Sequence, residues 1–176
     1  MKTNTTKMVA FGGIIAALYV VLTMLAAALG IASGAIQVRL SEALTILPVF
    51  TGAAVPGLTV GCVLANLITG CAPWDVVFGS LATLLGAIGT RLLRKKPLAA
   101  WIPPVVSNMA IIPVVLMKVY GVTDVEVFGG VFTGNSLWIM LVVTVGLGEI
   151  IACGMLGLLL YKAIAGDARM MRIIGE

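Results

Sequence analysis

Histidine is absent from this 176-residue sequence, and charged residues make up only 10% of it. Soluble proteins use Asp, Glu, Lys and Arg for about a quarter of their residues, so the composition excludes a soluble globular protein. The mean hydropathy of +1.17 indicates an integral membrane protein. This length allows about six membrane spans of 20 to 25 residues with short connections and leaves no room for a soluble catalytic domain.

Motifs for nucleotide and metal chemistry are also missing. The sequence has no G-x-x-x-x-G-K-[ST] phosphate loop and no H-E-x-x-H. Cys62, Cys71 and Cys153 have no close metal-ligand spacing, so we interpret them as small buried apolar residues. We therefore expect no metal and no cofactor. No nucleophile and base pair is apparent, which argues against an intramembrane enzyme acting on lipid.

The source of energy for any transport must then be considered. Two halves with inverted topology, as in many self-sufficient carriers, are not visible. A protein that moves solute uphill without an ATP site would need a partner to drive it. The alternative is an autonomous secondary carrier or small channel for a cationic solute that uses Glu149.

Apolar runs separated by Gly and Pro predict an all-α integral membrane protein, a single transmembrane domain over residues 1–176. We predict a compact bundle of six transmembrane helices. A Gly30 to Gln37 connection follows the first span, and a Thr51 to Gly57 turn follows the second. The predicted spans are Met8 to Leu29, Leu40 to Phe50, Leu58 to Gly70, Trp74 to Leu93, Leu98 to Tyr120 and Ser136 to Ile164.

Basic residues collect at one side of this predicted bundle. Lys and Arg favour cytoplasmic loops close to span ends, and with both termini cytoplasmic only Arg39 and Lys118 fall outside. The nine residues that fall inside are Lys2, Lys7, Arg91, Arg94, Lys95, Lys96, Lys162, Arg169 and Arg172. The bias predicts a multi-pass cell-membrane protein with cytoplasmic N- and C-termini. We interpret the Arg94 to Lys96 run as a lipid headgroup anchor, with no nucleic-acid partner.

Arg39 and Glu42 place two opposite charges at the head of an apolar stretch. A charge at the centre of a membrane helix costs roughly 2.5 to 3.5 kcal/mol, so a functional reason is expected. Residues three apart on a helix can simply pair with each other. Glu149, near the predicted midplane, leaves similar alternatives, because it can form a fixed ion pair with Arg39 or be held for a polar ligand.

Polar residues on other predicted spans favour a role of Arg39 and Glu42 in ligand binding. Asn66, Asp75, Asn108 and Glu149 lie on four predicted spans and could meet Arg39 and Glu42 in one outward-facing pocket. Carboxylates and amides suit a cationic or donor-rich ligand. Trp74 and Trp138 are candidate stacking faces, with membrane-interface belts as the alternative. For Asn66 and Asn108 the alternative is interhelical hydrogen bonding.

The first span also offers a candidate surface for docking a partner. Gly12 with Ala16 and Gly13 with Ala17 are small residues four apart, so another helix could approach closely. Packing inside the bundle is the alternative.

Several segments together resemble the QueT family, and the resemblance covers nearly the whole chain. These segments are Val38 to Pro48, Gly61 to Leu67, Asp75 to Leu84, Pro103 to Asn108 and the Gly148-Glu149 step. The resemblance implies a substrate-binding S component of an energy-coupling factor transporter for queuosine precursors. It implies capture of a 7-deazaguanine, namely queuine or its aminomethyl or cyano precursor. It also implies a transmembrane T component and two cytoplasmic ATPases as partners.

The ligand implied by the resemblance matches the acceptors in the sequence. A 7-deazaguanine offers N–H donors to a carboxylate, so Glu42, Asp75 and Glu149 are the candidates for these contacts. Arg39 is a candidate for the ligand carbonyl or for holding Glu42. The chain departs from such components at the docking face, because the Ala-x-x-x-Ala pattern of the first span occurs here only at Ala28 and Ala32.

Overall fold

A computed structural model describes residues 5–32 and 36–174. Residues 33–35 of the predicted Gly30 to Gln37 connection, and Lys2 among the predicted cytoplasmic cations, lie outside the described residues. The helices are α1 (Thr5–Ala28), a 3₁₀ helix (Leu40–Val49), α2 (Ala54–Ile68), α3 (Pro73–Leu92), a short 3₁₀ turn (Pro97–Ala99), α4 (Ile102–Lys118), α5 (Gly134–Glu149), a π-helical segment (Ile150–Leu156), α6 (Gly157–Ala165) and α7 (Ala168–Ile174).

Within the described residues, four helical stretches are long and apolar enough to cross a bilayer. They are Thr5–Ala28, Pro73–Leu92, Pro97–Lys118 and Gly134–Ala165. Each has at least 20 residues, which at about 1.5 Å per residue matches the roughly 30 Å hydrocarbon core. The chain is therefore a helical, multi-pass membrane protein. The other two predicted spans appear as the shorter apolar helices Leu40–Val49 and Ala54–Ile68.

The 3₁₀ helix occupies the centre of the bundle. At about 2.0 Å per residue its ten residues cover roughly 20 Å, less than the hydrocarbon thickness. Pro48 stands inside it, and a proline lacks the N–H that a regular α-helix requires. The 3₁₀ helix contacts α1, α2, α3, α6 and the π-helical segment. Its polar residues are therefore held inside protein and away from lipid.

Small residues bring α1 and α2 into close contact. A Cβ atom added to Gly57 would lie 2.7 Å from the Gly12 carbonyl, and one on Gly61 would lie 2.7 Å from the Tyr19 Cβ. Successive residues of α2 thus meet successive residues of α1, so the two helices run in the same direction. The 3₁₀ helix between them returns the chain across the bundle. The predicted Thr51 to Gly57 turn is shorter than expected, because α2 begins at Ala54.

A β-hairpin is an addition to the predicted all-helical fold. Strands β1 (Asp124–Val127) and β2 (Gly130–Thr133) pair antiparallel between α4 and α5. Phe128 and Gly129 form the turn with positive φ angles of 52° and 77°, as a two-residue type I′ turn requires. The strands are only four residues each and lie between the fifth and sixth predicted spans.

The final predicted span is one continuous helical stretch with an irregular centre. α5 ends at Glu149, and the π-helical segment begins at the next residue and leads directly into α6. π-Helical turns inside α-helices occur frequently at functional sites. Here the π-helical segment changes the helical register directly after Glu149, so the side chains that follow are rotated about the helix axis relative to those of α5.

Candidate ligand-binding site

A cavity of about 130 Å³ lies between the connection that precedes the 3₁₀ helix, α4 and α5. Most of its wall is apolar, and a few polar groups converge on it, as in sites for small organic molecules. The polar lining residues are Gln37, Arg39, Asn108, Thr144 and Glu149; the apolar ones are Ile112, Leu116, Val122, Val125, Leu141 and Val145.

A glycine fixes how closely the connection approaches α5. A Cβ atom on Gly148 would collide with the Gln37 backbone carbonyl, so no larger residue fits without moving the connection. The Val38 N–H donates to the Ile31 carbonyl at 2.9 Å, which ties the connection back to the end of α1. Arg39 has extended backbone angles. Gln37 and Arg39 therefore both face the cavity, as alternate residues of an extended chain do.

Arg39 is half-buried and has no ion-pair or hydrogen-bond partner among residues 5–32 and 36–174. The two simple pairings that its position suggested, with Glu42 or with Glu149, are not formed at 4.0 Å or less. A guanidinium offers five N–H donors. Its donors are available to the cavity that Arg39 lines.

Glu42 and Glu149 lie side by side at the buried end of the site. One oxygen of each carboxylate and the Cys153 sulfur all lie within 4.8 Å of one another. The Tyr19 hydroxyl donates to Glu42 Oε1, while Glu42 Oε2 has no partner in the described chain. The Cys153 thiol donates to Glu149 Oε2 at 3.2 Å. Glu42 is 2% exposed, so its free oxygen faces only the protein interior.

Asn108 joins this group from α4. Its Nδ2 donates to the Pro104 carbonyl at 3.2 Å, and its side chain lines the same cavity as Glu149. α4 is held against α3 by close packing, since a Cβ atom on Gly86 would lie 2.7 Å from the Pro104 Cα. The position of Asn108 is thus set by the α3–α4 contact and not by the ligand cavity itself.

Asp75 and Asn66 form a second polar cluster away from the cavity wall. The Tyr120 hydroxyl donates to Asp75 Oδ2 at 2.9 Å and accepts the Ala72 N–H at 3.2 Å. A Cβ atom on Gly79 would meet both Asn66 Nδ2 and Asp75 Oδ1. Partial desolvation and the hydrogen bond to Asp75 raise the pKa of Tyr120 to about 12. The phenol therefore keeps its proton and remains a donor at neutral pH.

Neither of the two candidate tryptophans lines the cavity. Trp74 is 62% exposed and stacks on Phe78 with ring centroids 6.0 Å apart. Trp138 is 40% exposed. Both lie on the outside of the bundle, where amphipathic rings favour the membrane interface.

The structure separates the two pairs of small residues on α1. Gly12 and Ala16 lie against α2, near Gly57 and Gly61, so internal packing accounts for them. Gly13 and Ala17 are exposed. An apolar groove of about 460 Å³ runs beside them between the first turns of α1 and α2, lined by Thr5, Met8, Val9, Gly12, Gly13, Ala16, Ala53, Pro56, Gly57 and Val60.

Four residues near the site were not predicted from the sequence, namely Tyr19, Gln37, Thr144 and Cys153. Cys153 follows Glu149 by four residues, a spacing that places the two on one helical face. Gln37 precedes Arg39 by two residues in an extended segment, which also gives a signal. Tyr19 and Thr144 have no comparable signal, because their proximity depends on how helices pack.

The chain matches a known protein family over most of its length. The sequence profile of a family described as the QueT transporter matches residues 9–166. The chain belongs to the QueT transporter family. This family is one of transporters and not of enzymes. The cavity, the carboxylate pair and the open face of α1 all lie inside the segment that the QueT profile matches, apart from the first turn of α1.

A curated member of the family gives a partial match. The queuosine precursor transporter QueT of Lactococcus lactis subsp. cremoris (strain MG1363) is 37% identical over 86 residues. This alignment covers 48% of the present chain and spans about half the length of that relative. No solved structure matches the chain.

Proposed function

We propose that this chain is the substrate-binding S component of an ATP-driven uptake transporter for a queuosine precursor. The observation that supports this proposal most strongly is the Arg39 guanidinium, which has no partner in the described chain and lines a small cavity together with the Glu149 carboxylate. Donors and acceptors of opposite sign on one cavity wall suit a compact ring that carries both kinds of group. Membership of the QueT transporter family supports the same conclusion.

A 7-deazaguanine has the required groups. Its ring N–H and 2-amino donors match the side-chain carbonyl oxygens of Asn108 and Gln37, and the Glu149 carboxylate is an acceptor for a donor on the ring substituent. Its carbonyl oxygen matches the Arg39 guanidinium, and the Asn108 and Gln37 amides can both donate and accept at the remaining edge. The apolar wall, which includes Ile112 and Leu141, fits the faces of the ring.

Asn66, Asp75, Trp74 and Trp138 were also predicted to contact the ligand, and we propose that they do so only after a rearrangement. Asp75 and Asn66 are engaged with Tyr120 and Cys62 in the described chain, so ligand contact there requires these side chains to change partners. Trp74 and Trp138 would have to move from the outside of the bundle to stack on the ligand. Alanine variants of these four residues, compared in ligand affinity, test each contact directly.

The energy for uptake is proposed to come from partner subunits, a transmembrane T component and two cytoplasmic ATPases. We propose that both termini lie in the cytoplasm, so the α1–α2 groove opens on the inner side. The exposed Gly13 and Ala17 then leave room for a helix of the T component to approach. Their stripe replaces the stricter alanine pattern that occurs here only at Ala28 and Ala32.

Reconstituted uptake tests this function. Vesicles that contain the chain with purified T component and both ATPases should accumulate a labelled 7-deazaguanine only when ATP is present on the ATPase side. Vesicles with the chain alone should show no accumulation, with or without a proton gradient. Uptake by the chain alone under a proton gradient would contradict the proposal and favour the autonomous carrier that uses Glu149.

A further inference from the structure

Negative charge exceeds positive charge where the cavity meets the bundle interior. Glu149 lines the cavity, and Glu42 lies directly behind it with a carboxylate oxygen within 4.8 Å. Arg39 is the one Lys or Arg among the described residues lining this cavity. With both carboxylates ionised, the single guanidinium would leave a net charge of about −1 in a poorly solvated site, where unbalanced charge is costly.

The unpartnered oxygen of Glu42 is a second, independent observation that favours a ligand group beside it. Buried polar atoms in folded proteins are almost always hydrogen-bonded. Glu42 is 2% exposed, its Oε1 accepts from Tyr19, and its Oε2 has no donor in residues 5–32 and 36–174. Tyr19 itself is 1% exposed and fixed against Gly61. The carboxylate is therefore held in place with one acceptor directed to no protein group.

The neighbouring donors do not bind Glu42 Oε2. The Cys153 thiol donates to Glu149 Oε2 at 3.2 Å, and the Thr45 hydroxyl is used by the Glu42 backbone carbonyl at 2.6 Å. Arg39 approaches neither carboxylate within 4.0 Å. A ligand group that carries positive charge and N–H donors would satisfy both the charge and the free oxygen.

We propose that Glu42 and Glu149 together form a cation subsite that takes an ammonium group of the ligand, so that the protein selects positively charged 7-deazaguanines over neutral ones. This inference rests on the proposed function and makes its substrate class narrower. Queuine and the aminomethyl precursor carry an alkylamine, which is protonated at neutral pH. The cyano precursor has no such group and leaves the second carboxylate uncompensated.

Calorimetry with the purified full chain in detergent tests the selectivity. The aminomethyl compound should bind about 10- to 100-fold more tightly than the cyano compound, the range expected for a hydrogen bond to a charged group. Titrations in two buffers of different ionisation enthalpy give the proton balance. Binding of the aminomethyl compound should release about one proton more than binding of the cyano compound, because the ammonium replaces the proton that otherwise neutralises one of the two carboxylates.

Glu42→Gln provides the variant, and Glu126→Gln, at an exposed carboxylate of the hairpin, provides the matched control. Glu42→Gln should bring the ratio of the two affinities towards one, and Glu126→Gln should leave it unchanged. Should Glu42→Gln fail to fold, the ratio and the proton balance of the unaltered protein still decide.

Two outcomes would overturn the proposal, and they can be distinguished. Equal affinities for the aminomethyl and cyano compounds, with no difference in proton uptake, would overturn the cation subsite and leave the proposed function standing. Absence of binding for queuine and both precursors would overturn the proposed function and this inference with it.

Discussion

Arg39 carries a full positive charge at the wall of a small cavity and makes no ion pair within the described chain. Structural arginines inside membrane proteins normally pair with a carboxylate or with backbone carbonyls. Glu42 and Glu149 lie side by side at the buried end of the site, yet neither carboxylate comes within 4.0 Å of the Arg39 guanidinium. Such an arrangement is expected where a ligand inserts between opposite charges and completes their pairing.

The first prediction separates a binding role of Arg39 from a structural one. Because no protein carboxylate depends on it at close range, Arg39→Gln should change the free energy of unfolding by no more than about 0.5 kcal/mol, as at an ordinary surface position. Affinity for a 7-deazaguanine should fall at least about tenfold, because a charged hydrogen bond is lost. Thermal unfolding and calorimetry on the same preparation measure both quantities. A large loss of stability with unchanged affinity would show that Arg39 is structural.

The sequence predicted which polar residues line the cavity better than it predicted which of them contact one another. Arg39, Asn108 and Glu149 stand out in an apolar sequence because charge and amide groups are costly in lipid, and the structure places all three on one cavity. The sequence gives no distances, so it left the pairing of Arg39 open. The hydrogen bond from Tyr19 to Glu42 spans 23 positions in the chain and depends on packing between α1 and the 3₁₀ helix.

At the scale of elements, the site forms where the extended connection before the 3₁₀ helix packs against Gly148 of α5. The Gln37 carbonyl occupies the space that a side chain on Gly148 would need. This contact holds Gln37 and Arg39 over α5, immediately before Glu149 and the π-helical segment. The geometry of the cavity therefore depends on one missing methyl group as much as on its polar residues.

The second prediction concerns that contact. Gly148→Ala should displace the connection and weaken ligand binding at least about tenfold, since misplacing a binding group by about 1 Å can cost 100-fold. Gly146→Ala is the matched control, two residues earlier on the same helix. Its added methyl would meet the flexible Met109 side chain, with Sδ at 2.9 Å, which can move aside. Calorimetry of both variants measures the difference, and equal effects of the two substitutions would contradict the role assigned to Gly148.

The element boundaries show what hydropathy can and cannot specify. Apolar runs and proline positions placed six helical segments within a few residues. Four of them are long and apolar enough to cross a bilayer, and Leu40–Val49 and Ala54–Ile68 are shorter. Hydropathy did not predict that Leu40–Val49 is a 3₁₀ helix or that a π-helical segment follows Glu149. Both depend on how the backbone accommodates neighbours. The hairpin was missed because its strands have only four residues each.

At the scale of the whole molecule, the ligand cavity and the open groove lie at opposite ends of α1. The groove involves the first turns of the helix, and the cavity adjoins the connection that follows its last turn. Gly12 and Ala16 pack internally, whereas a Cβ placed on Gly13 would meet no atom of another described element within 4 Å. α1 thus packs against the bundle along one face, and its stripe of small residues at Gly13 and Ala17 remains exposed on another.

The third prediction uses this separation. Gly13→Trp fills the proposed docking stripe without an internal clash, so ligand binding should be unchanged while ATP-driven uptake with the partner subunits falls more than about tenfold. Leu85→Trp, a substitution at an exposed apolar position on α3, is the control and should retain uptake. Binding and uptake assays on the same variants test the assignment. Normal uptake by Gly13→Trp would show that the T component docks elsewhere.

The central claim is that the cavity binds a 7-deazaguanine through Glu149 and Arg39. The most direct measurement is calorimetric titration of the purified full chain with queuine and with its aminomethyl and cyano precursors. We predict saturable binding at one site per chain for at least one of them, weakened about 10- to 100-fold by Glu149→Gln with thermal unfolding preserved. Absence of saturable binding for all three compounds, or unchanged affinity in Glu149→Gln, would contradict the account.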